Sequence, residues 1–364
     1  MSQEQSDRGF MEQALRLARR GLYSCHPNPR VGCLIVKDGQ VIGRGWHEKT
    51  GEAHAEILAL AEAGEQARGA TAYVSLEPCS HHGQTGPCSD ALVTAGITRV
   101  FAAMVDPYKK VTGQGLERLR QAGVEVHSGL LENAARRLNR GFISRCERGR
   151  PWVRIKMAIS LDGRTALESG ESKWITGSAA REDVHHWRAR ASAILTGIGT
   201  IIADDPSLTA RLPGVDASPL RIIADSRWQT PATAHIFDSP GQILVAGLEA
   251  NPVPAALANS GASLLALPGD GPGIDLAALL IDLGKREINE LHTECGASLA
   301  GSLFQQGLAD ELLIYMAPKL MGNNARGMFA LEGIADMTRV ANLQWREISQ
   351  LGDDLRLIAE PCGE

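Results

Sequence analysis

Three residues that can share one metal ion constrain this chain more than anything else in it: His54, Cys79 and Cys88. An imidazole and two thiolates fill three corners of zinc's tetrahedron and leave the fourth open for water. Glu56 stands two residues past the histidine, near enough to pass protons without being a ligand. To meet on one ion, the three must arrive on different elements. A helical pattern begins near His54 and runs through Ile57, Leu58 and Leu60 to Gly64. Residues 72–76 read as a buried strand that delivers Pro78-Cys79 at its C-terminal end, and Cys88 opens a further helix that ends at Gly96. Two of the ligands therefore lie at helix N-termini, where the positive end of the helix dipole favours a thiolate.

A zinc site that only staples a fold usually has four protein ligands in short pairs. Here the cysteines are nine apart and the supporting pair is His-x-Glu, although His81 and His82 could supply a fourth ligand. An open site flanked by a glutamate is the constellation that zinc deaminases use.

The 364 residues exceed what a single core usually supports, so two domains are expected. A net charge of -5 gives no global basic field and argues against a nucleic-acid partner. The seven cysteines are odd in number and follow no disulfide framework, which fits reduced thiols in a cytoplasmic protein. Residues 1–8 are polar and lack the apolar core of a signal peptide. No run of about 18 apolar residues occurs, so neither a membrane span nor a membrane partner is expected.

Asp7 or Ser6 can cap a first helix carrying Phe10, Ala14, Leu17 and Ala18 on one face. His26-Pro27-Asn28-Pro29 is held extended by its prolines, either as a connecting turn or to present Asn28 to a ligand. Asp38-Gly39 marks a hairpin turn. Strand, helix and strand over 98–103, 116–122 and 124–126 complete an alternating α/β layer. A helix over 130–142 turns Arg136, Arg137 and Arg140 to solvent. The short basic stretch before Pro151 sets the domain boundary, giving 1–148 and 149–364.

The second half alternates again. Strands are expected at 152–160, 193–196, 221–224, 243–246, 264–267, 288–293 and 311–317, the last of them central. Thr176 caps a helix to about 191, a helix covers 299–306, and 345–348 with 355–359 form a closing antiparallel hairpin. Gly296 to Ser302 has the form of a phosphate-holding turn, or of tight strand–helix packing, and Gly197-Ile198-Gly199 is a second candidate. Arg188 and Arg211 can act as phosphate clamps or be ordinary surface residues.

These residues carry a resemblance to the bifunctional deaminase–reductases of riboflavin biosynthesis. In the first half it rests on His26-Pro27-Asn28-Pro29-Arg30-Val31-Gly32, His54-Ala55-Glu56, and Leu76-Glu77-Pro78-Cys79-Ser80-His81-His82-Gly83 with Cys88. In the second it rests on Ser160-Leu161-Asp162-Gly163-Arg164, Gly170-Glu171-Ser172-Lys173-Trp174-Ile175-Thr176, Ala203-Asp204-Asp205-Pro206 with Leu208-Thr209, and Ala317-Pro318-Lys319. It extends from about residue 7 to 360.

The resemblance implies a cytidine-deaminase-like α/β/α zinc domain, followed by a dihydrofolate-reductase-like α/β domain. It implies zinc-dependent deamination of 2,5-diamino-6-(5-phosphoribosylamino)pyrimidin-4-one, then NADPH-dependent reduction to 5-amino-6-(5-phosphoribitylamino)uracil. Zinc then falls on His54, Cys79 and Cys88, with Glu56 as proton carrier. NADPH contacts fall on Ala158, Trp174, Thr200, Asp204, Ser226, Gly296, Ala297, Ser298, Leu299, Ala300, Gly301 and Ser302. Contacts to the reductase substrate fall on Ser172, Arg188, Leu208, Arg211 and Glu294.

Three stretches depart from the pattern: Gln84-Thr85-Gly86-Pro87-Cys88, Glu294-Cys295-Gly296, and Arg227 after Ser226. A small phosphoribosyl-pyrimidine is the expected partner, and a homo-oligomer, dimer or tetramer, the expected assembly. Two rival readings are a transfer-RNA deaminase with an accessory α/β domain and a non-catalytic zinc-stapled nucleotide sensor. The first would favour a basic surface and a tight Cys-x-x-Cys pair, both absent.

Overall fold

The Asp38-Gly39 turn forms as its chemistry requires, with both residues at positive φ (50° and 75°). It joins β1 (Gly32–Lys37) to β2 (Gln40–Trp46) in an antiparallel pair. The protein is described here as a computed structural model covering residues 3–80, 86–109, 111–269, 271 and 273–362. Its internal contacts fall into two units, Met1–Gly149 and Arg150–Glu364.

The first unit adds β3 (Thr71–Val74), β4 (Arg99–Ala102) and β5 (Glu125–Ser128), in the spatial order β2-β1-β3-β4-β5. Strands β3, β4 and β5 run parallel, so their carboxyl ends share one edge. Helices α2 (Ala55–Ala63), α3 (Cys88–Thr94) and α4 (Gln114–Gln121) pack through Ala59, Leu92 and Leu119 on one apolar face with Ile35 and Val100. Helices α1 (Gln3–Ala18), α5 (Glu132–Leu138) and α6 (Arg140–Arg148) cover the other through Met11, Leu138 and Ile143. Three layers result.

Two local expectations change. Helix α1 already begins at Gln3, so Asp7 lies within it and is buried. Its carboxylate accepts the Tyr73 hydroxyl and the Gln3 amide, so a tertiary partner and not a cap accounts for it. The helix expected over 130–142 breaks at Asn139, whose side chain bonds Arg30 N–H (2.8 Å) and C=O (2.9 Å).

The second unit is a nine-stranded sheet in the order β11-β10-β9-β8-β12-β6-β13-β16-β15. Its strands are β6 (Trp152–Ser160), β8 (Ala193–Gly197), β9 (Leu220–Ala224), β10 (Ile243–Leu248), β11 (Ser263–Leu267), β12 (Glu290–Glu294), β13 (Glu311–Ala317), β15 (Leu343–Leu351) and β16 (Asp354–Pro361). A separate short pair joins β7 (Arg164–Ala166) to β14 (Arg326–Gly327). All strands from β11 to β13 in that order are parallel, and β16 and β15 close the sheet antiparallel.

The chain crosses among the strands through α7 (Ser178–Arg190), α8 (Ile198–Asp204), α9 (Ala255–Ala258), α10 (Leu276–Lys285) and α11 (Ala297–Gln305). Thr176 does not cap α7. Gly177 does, its N–H held by Asp354 at 2.7 Å. The Gly197-Ile198-Gly199 stretch after β8 is the N-terminus of α8, with Gly197 as its N-cap.

One face of this sheet is an apolar core built on Ile155, Leu291, Leu312 and the α10 leucines. The opposite face carries buried charge: Arg154 (0% exposed) meets Glu290 at 3.2 Å and also Glu311, beneath the Trp187 ring. Among the described residues no helix is long and apolar enough to cross a membrane.

Removing one member of a buried ion network strands the others. Arg154→Met should therefore lower stability by about 3–5 kcal/mol, read from the urea midpoint of the second unit. A loss below about 1 kcal/mol, the range of exposed pairs, would contradict this account.

Candidate active sites

Helix α2 lies so close on β2 that a Cβ at Gly45 would sit 2.1 Å from the Ala55 carbonyl. That approach sets the N-cap residue His54 at the sheet's edge, beside the loop leaving β3. His54 Nδ1 is 3.5 Å from Cys79 Sγ and 3.3 Å from Cys88 Sγ, and the three ligand atoms all lie within 4.8 Å of one another. Cys88 is the first residue of α3, and its N–H donates to Cys79 Sγ at 3.3 Å. The Cys88 thiol, then His54, hold Cys79 well below the usual thiol range, and Cys88 is pushed up in return by its bond to Cys79 and by burial.

This donor set, one imidazole and a readily formed thiolate with a second thiol in reach, fits a zinc ion with one position left free. His81 and His82, which the sequence left as candidates for a fourth ligand, lie outside the described residues. Glu56, on the first turn of α2, is buried against the cluster. Burial, then the Cys79 charge, pushes its carboxyl up to about 7, so it can both take and give a proton near neutrality.

Asn28 also reaches this site. Its amide lies 3.1 Å from His47 Nε2, while His47 Nδ1 faces the Ala53 carbonyl at 3.3 Å. Those partners place the proton on Nδ1 and leave Nε2 to accept from Asn28. The His47 ring stands edge-on to His54, with centroids 5.6 Å apart. Sequence reading passed over His47; its place directly after β2, on the segment that leads to His54, is the signal that could have marked it.

In the second unit the candidate residues gather at the carboxyl ends of parallel strands, where open α/β sheets hold ligands. Glu294 ends β12 and forms a two-pronged pair with Arg188, at 2.5 and 2.9 Å. Lys156 Nζ stands 3.7 Å and His292 Nε2 3.4 Å from the same carboxylate. Burial works to raise the Glu294 pKa, but Arg188 and Lys156 outweigh it and hold the group well below the carboxylate range. Burial pushes His292 down to about 4, so its ring is neutral. Lys156 and His292 were not singled out from sequence, since each reads locally as one polar residue in an apolar strand.

Arg188 also donates to the Thr209 carbonyl at 3.1 Å, so it is a tied residue and not a free clamp. Arg211 differs. Its side chain is exposed, and its contacts are to Thr209 Oγ1 (3.3 Å) and His185 Nε2 (3.3 Å), with no ion pair among the described residues. Leu208 is buried beside them, at φ 50°.

Trp174 is 65% exposed, with the Arg181 guanidinium 4.7 Å from its ring centre. Its neighbour Lys173 reaches Asp204 at 3.6 Å, which brings the Ser172–Trp174 loop to the end of α8, the helix that also carries Thr200. Ala158 is near the carboxyl end of β6, and Ser226 follows β9, its hydroxyl accepting the Ile274 N–H at 3.2 Å. Gly296 caps α11 and has no side chain of its own to bond the first amides of that helix. Gly296 and Ser298 are exposed and Ala297 and Leu299 half-buried, whereas Ala300 and Gly301 are buried in packing and Ser302 half-buried.

Comparison with known proteins gives two family matches: the RibD C-terminal domain over residues 151–357, and the cytidine and deoxycytidylate deaminase zinc-binding region over residues 4–104. The chain is 45% identical over 365 residues to the riboflavin biosynthesis protein RibD of Escherichia coli (strain K12), covering 96% of this chain and 98% of that protein. Against the RibD of Haemophilus influenzae it is 44% identical over 368 residues, covering 97% of each. Among solved structures it is similar to Acinetobacter baumannii RibD, with 46% identity, a TM-score of 0.92, and 99% of this chain and 100% of that one covered. It is also similar to a diaminohydroxyphosphoribosylaminopyrimidine deaminase/5-amino-6-(5-phosphoribosylamino)uracil reductase from Thermotoga maritima, with 31% identity, a TM-score of 0.88, and the same coverage.

Proposed function

This chain belongs to the RibD family of riboflavin biosynthesis, and from that premise we propose how its two units divide the work. It is a deaminase and a reductase. It removes an amino group from 2,5-diamino-6-(5-phosphoribosylamino)pyrimidin-4-one and then reduces the ribosyl group to ribityl, giving 5-amino-6-(5-phosphoribitylamino)uracil. We assign deamination to the unit ending near residue 149 and reduction to the unit that follows. The rival readings as a transfer-RNA deaminase or a nucleotide sensor give way, because the family match spans both units.

The observation that carries the first assignment is the convergence of His54, Cys79 and Cys88 with Glu56 buried alongside. His54, Cys79 and Cys88 would hold zinc, which would supply Lewis-acid activation of a water. Glu56 is placed to take a proton from an attacking water and deliver it to the pyrimidine ring nitrogen, and then to carry the proton of the resulting hydroxyl to the departing amine. Asn28, fixed by its prolines and by His47, holds the substrate.

For the second step, bound NADPH would supply the hydride. Support for its place is the group of residues at the carboxyl edge: Ala158, Trp174, Thr200, Asp204, Ser226 and the exposed start of α11. Arg211 holds the substrate phosphate, being an arginine with no carboxylate partner among the described residues. Arg188 and Glu294 form a fixed wall against which the sugar is oriented, with Ser172 and Leu208 completing it.

The assembly we propose is a homo-oligomer, a dimer or tetramer, joined through β15. That strand is the edge of its sheet, and an edge offers its own copy matching unpaired donors and acceptors. Ile334, Met337, Val340, Leu343, Trp345 and Ile348, on and before it, are each 37–82% exposed. A net charge of -5 gives no support for a nucleic-acid partner. Seven free cysteines fit a cytoplasmic protein, which cell fractionation checks.

Three measurements test these readings. Glu56→Gln should lower deamination by about 10²–10⁴-fold with zinc retained and with reduction of supplied intermediate intact. Near-normal deamination at full metal content would sink the role. Arg211→Ala should raise KM for the phosphorylated intermediate about ten- to a hundredfold, as loss of a charge-assisted bond does, and leave deamination unchanged. If it weakens NADPH binding and spares the substrate, the two ligands have been placed the wrong way round. Light scattering should find Trp345→Lys smaller than the wild-type assembly; a variant of unchanged mass rules out the β15 contact.

A further inference from the structure

Glu77 stands two residues before Cys79 and is 5% exposed. Its carboxylate accepts four main-chain N–H groups. One oxygen takes Asp106 (3.0 Å) and Gly113 (2.9 Å), the other Gly115 (2.8 Å) and Leu116 (3.3 Å). The last two are in the first turn of α4, whose own N-cap, Gly113, has no side chain to bond them. Glu77 thus caps that helix from outside it. Its own N–H is tied to Met104 C=O at 3.0 Å.

The next peptide is held as closely. A Cβ on Gly115 would come within 1.9 Å of the Pro78 carbonyl, so α4 lies directly on the Pro78 peptide. Beyond it, the Cys79 carbonyl accepts Ser89 N–H and Ser89 Oγ, each at 3.1 Å, and Cys79 Sγ accepts Cys88 N–H. Pro78-Cys79 is therefore strung between two helix starts, α4 upstream and α3 downstream, and the upstream tie is the Glu77 carboxylate.

We infer that Glu77 is a positioning residue for the metal, acting through Cys79 by locking the Pro78-Cys79 backbone onto α4. An ionised carboxylate has about four acceptor sites, and here each oxygen already serves two donors. Glutamine would keep one such oxygen and turn an NH2 toward two N–H groups, opposing donor to donor. The Cys79 thiolate would then no longer be held at the distance its partners require. Removal of groups that orient metal ligands typically costs about 10–100-fold in affinity. This inference rests on the zinc assignment made above.

The test uses the full-length protein and Glu77→Gln, with zinc affinity measured by chelator competition. Deamination is followed as a function of free zinc, and reduction is measured in the same samples. The zinc Kd should rise about 10–100-fold. Deamination should fall at limiting zinc and recover at excess zinc with substrate KM unchanged, while reduction stays at the wild-type rate. A purely structural role would lower the stability of the zinc-free unit and leave Kd where it was. A Kd within about twofold of wild type, below the range expected for such a group, overturns the inference. If Glu77→Gln does not fold, Glu77→Asp, which keeps the charge on a shorter arm, should show a smaller rise in Kd. Failure of both variants to fold in saturating zinc would assign Glu77 to the fold alone and also overturn it. A wild-type chain that binds no zinc would instead sink the deaminase assignment itself.

Discussion

Parallel strands leave their carboxyl ends along one edge of a sheet, and both candidate sites of this chain depend on such an edge. In the first unit β3 ends at the Cys79 loop, while β4, its parallel neighbour, leads to the Asp106 loop that anchors Glu77. In the second, β12 lies between β8 and β6 with all three parallel, so Glu294, Gly197 and Ala158 arrive on the same side. Strand order reverses there, since β12 enters between strands formed much earlier in the chain. A crevice at that position follows from connectivity before any side chain is considered.

The charged face beneath α7 sharpens this placement at a cost. Burying Arg154, Glu290 and Glu311 gives little net stability, because desolvation offsets most of the attraction. What the layer provides is fixed geometry. Arg190 continues it to Glu290 at 2.8 Å, and Asp183 links Tyr315 and Arg356. Arg188 and Glu294 sit at its end, where the sheet meets solvent. A flexible carboxylate there could turn toward any cation. One gripped at both oxygens by a guanidinium and approached by Lys156 has a single orientation.

How far the sequence could be read depended on the distance between partners. The metal triad was legible because zinc chemistry restricts residue type and spacing, and both survive in His54, Cys79 and Cys88. Strand β6 and the closing hairpin were legible from local periodicity. Partners far apart in sequence were not. Asn28 meets His47 across 19 residues, Arg188 meets Glu294 across 106, and Gly177 meets Asp354 across 177. Thr176 has the residue type of a cap, yet a carboxylate from a later strand governs the start of α7. Asp7 has it too and serves a tyrosine.

Arg188 and Arg211 show what the missing contacts decide. Both are arginines near one strand edge, and residue type alone gives them the same task. Arg188 is desolvated but matched by Glu294, so its charge is already neutralised and an arriving phosphate gains little from it. Arg211 is exposed, and its nearest titratable neighbour is His185, whose pKa is lowered by burial, then by Arg188 and Arg211 themselves. An imidazole carries no negative charge in either protonation state, so it leaves the Arg211 charge uncompensated. The Arg211 main-chain N–H, bonded to His185 Nδ1 at 3.2 Å, fixes where that charge stands. A free cation on an anchored backbone attracts and orients an anion; a paired one only shapes the wall. The division proposed between an arginine that holds phosphate and one that orients sugar thus rests on where Glu294 stands, a position set by the order of the strands.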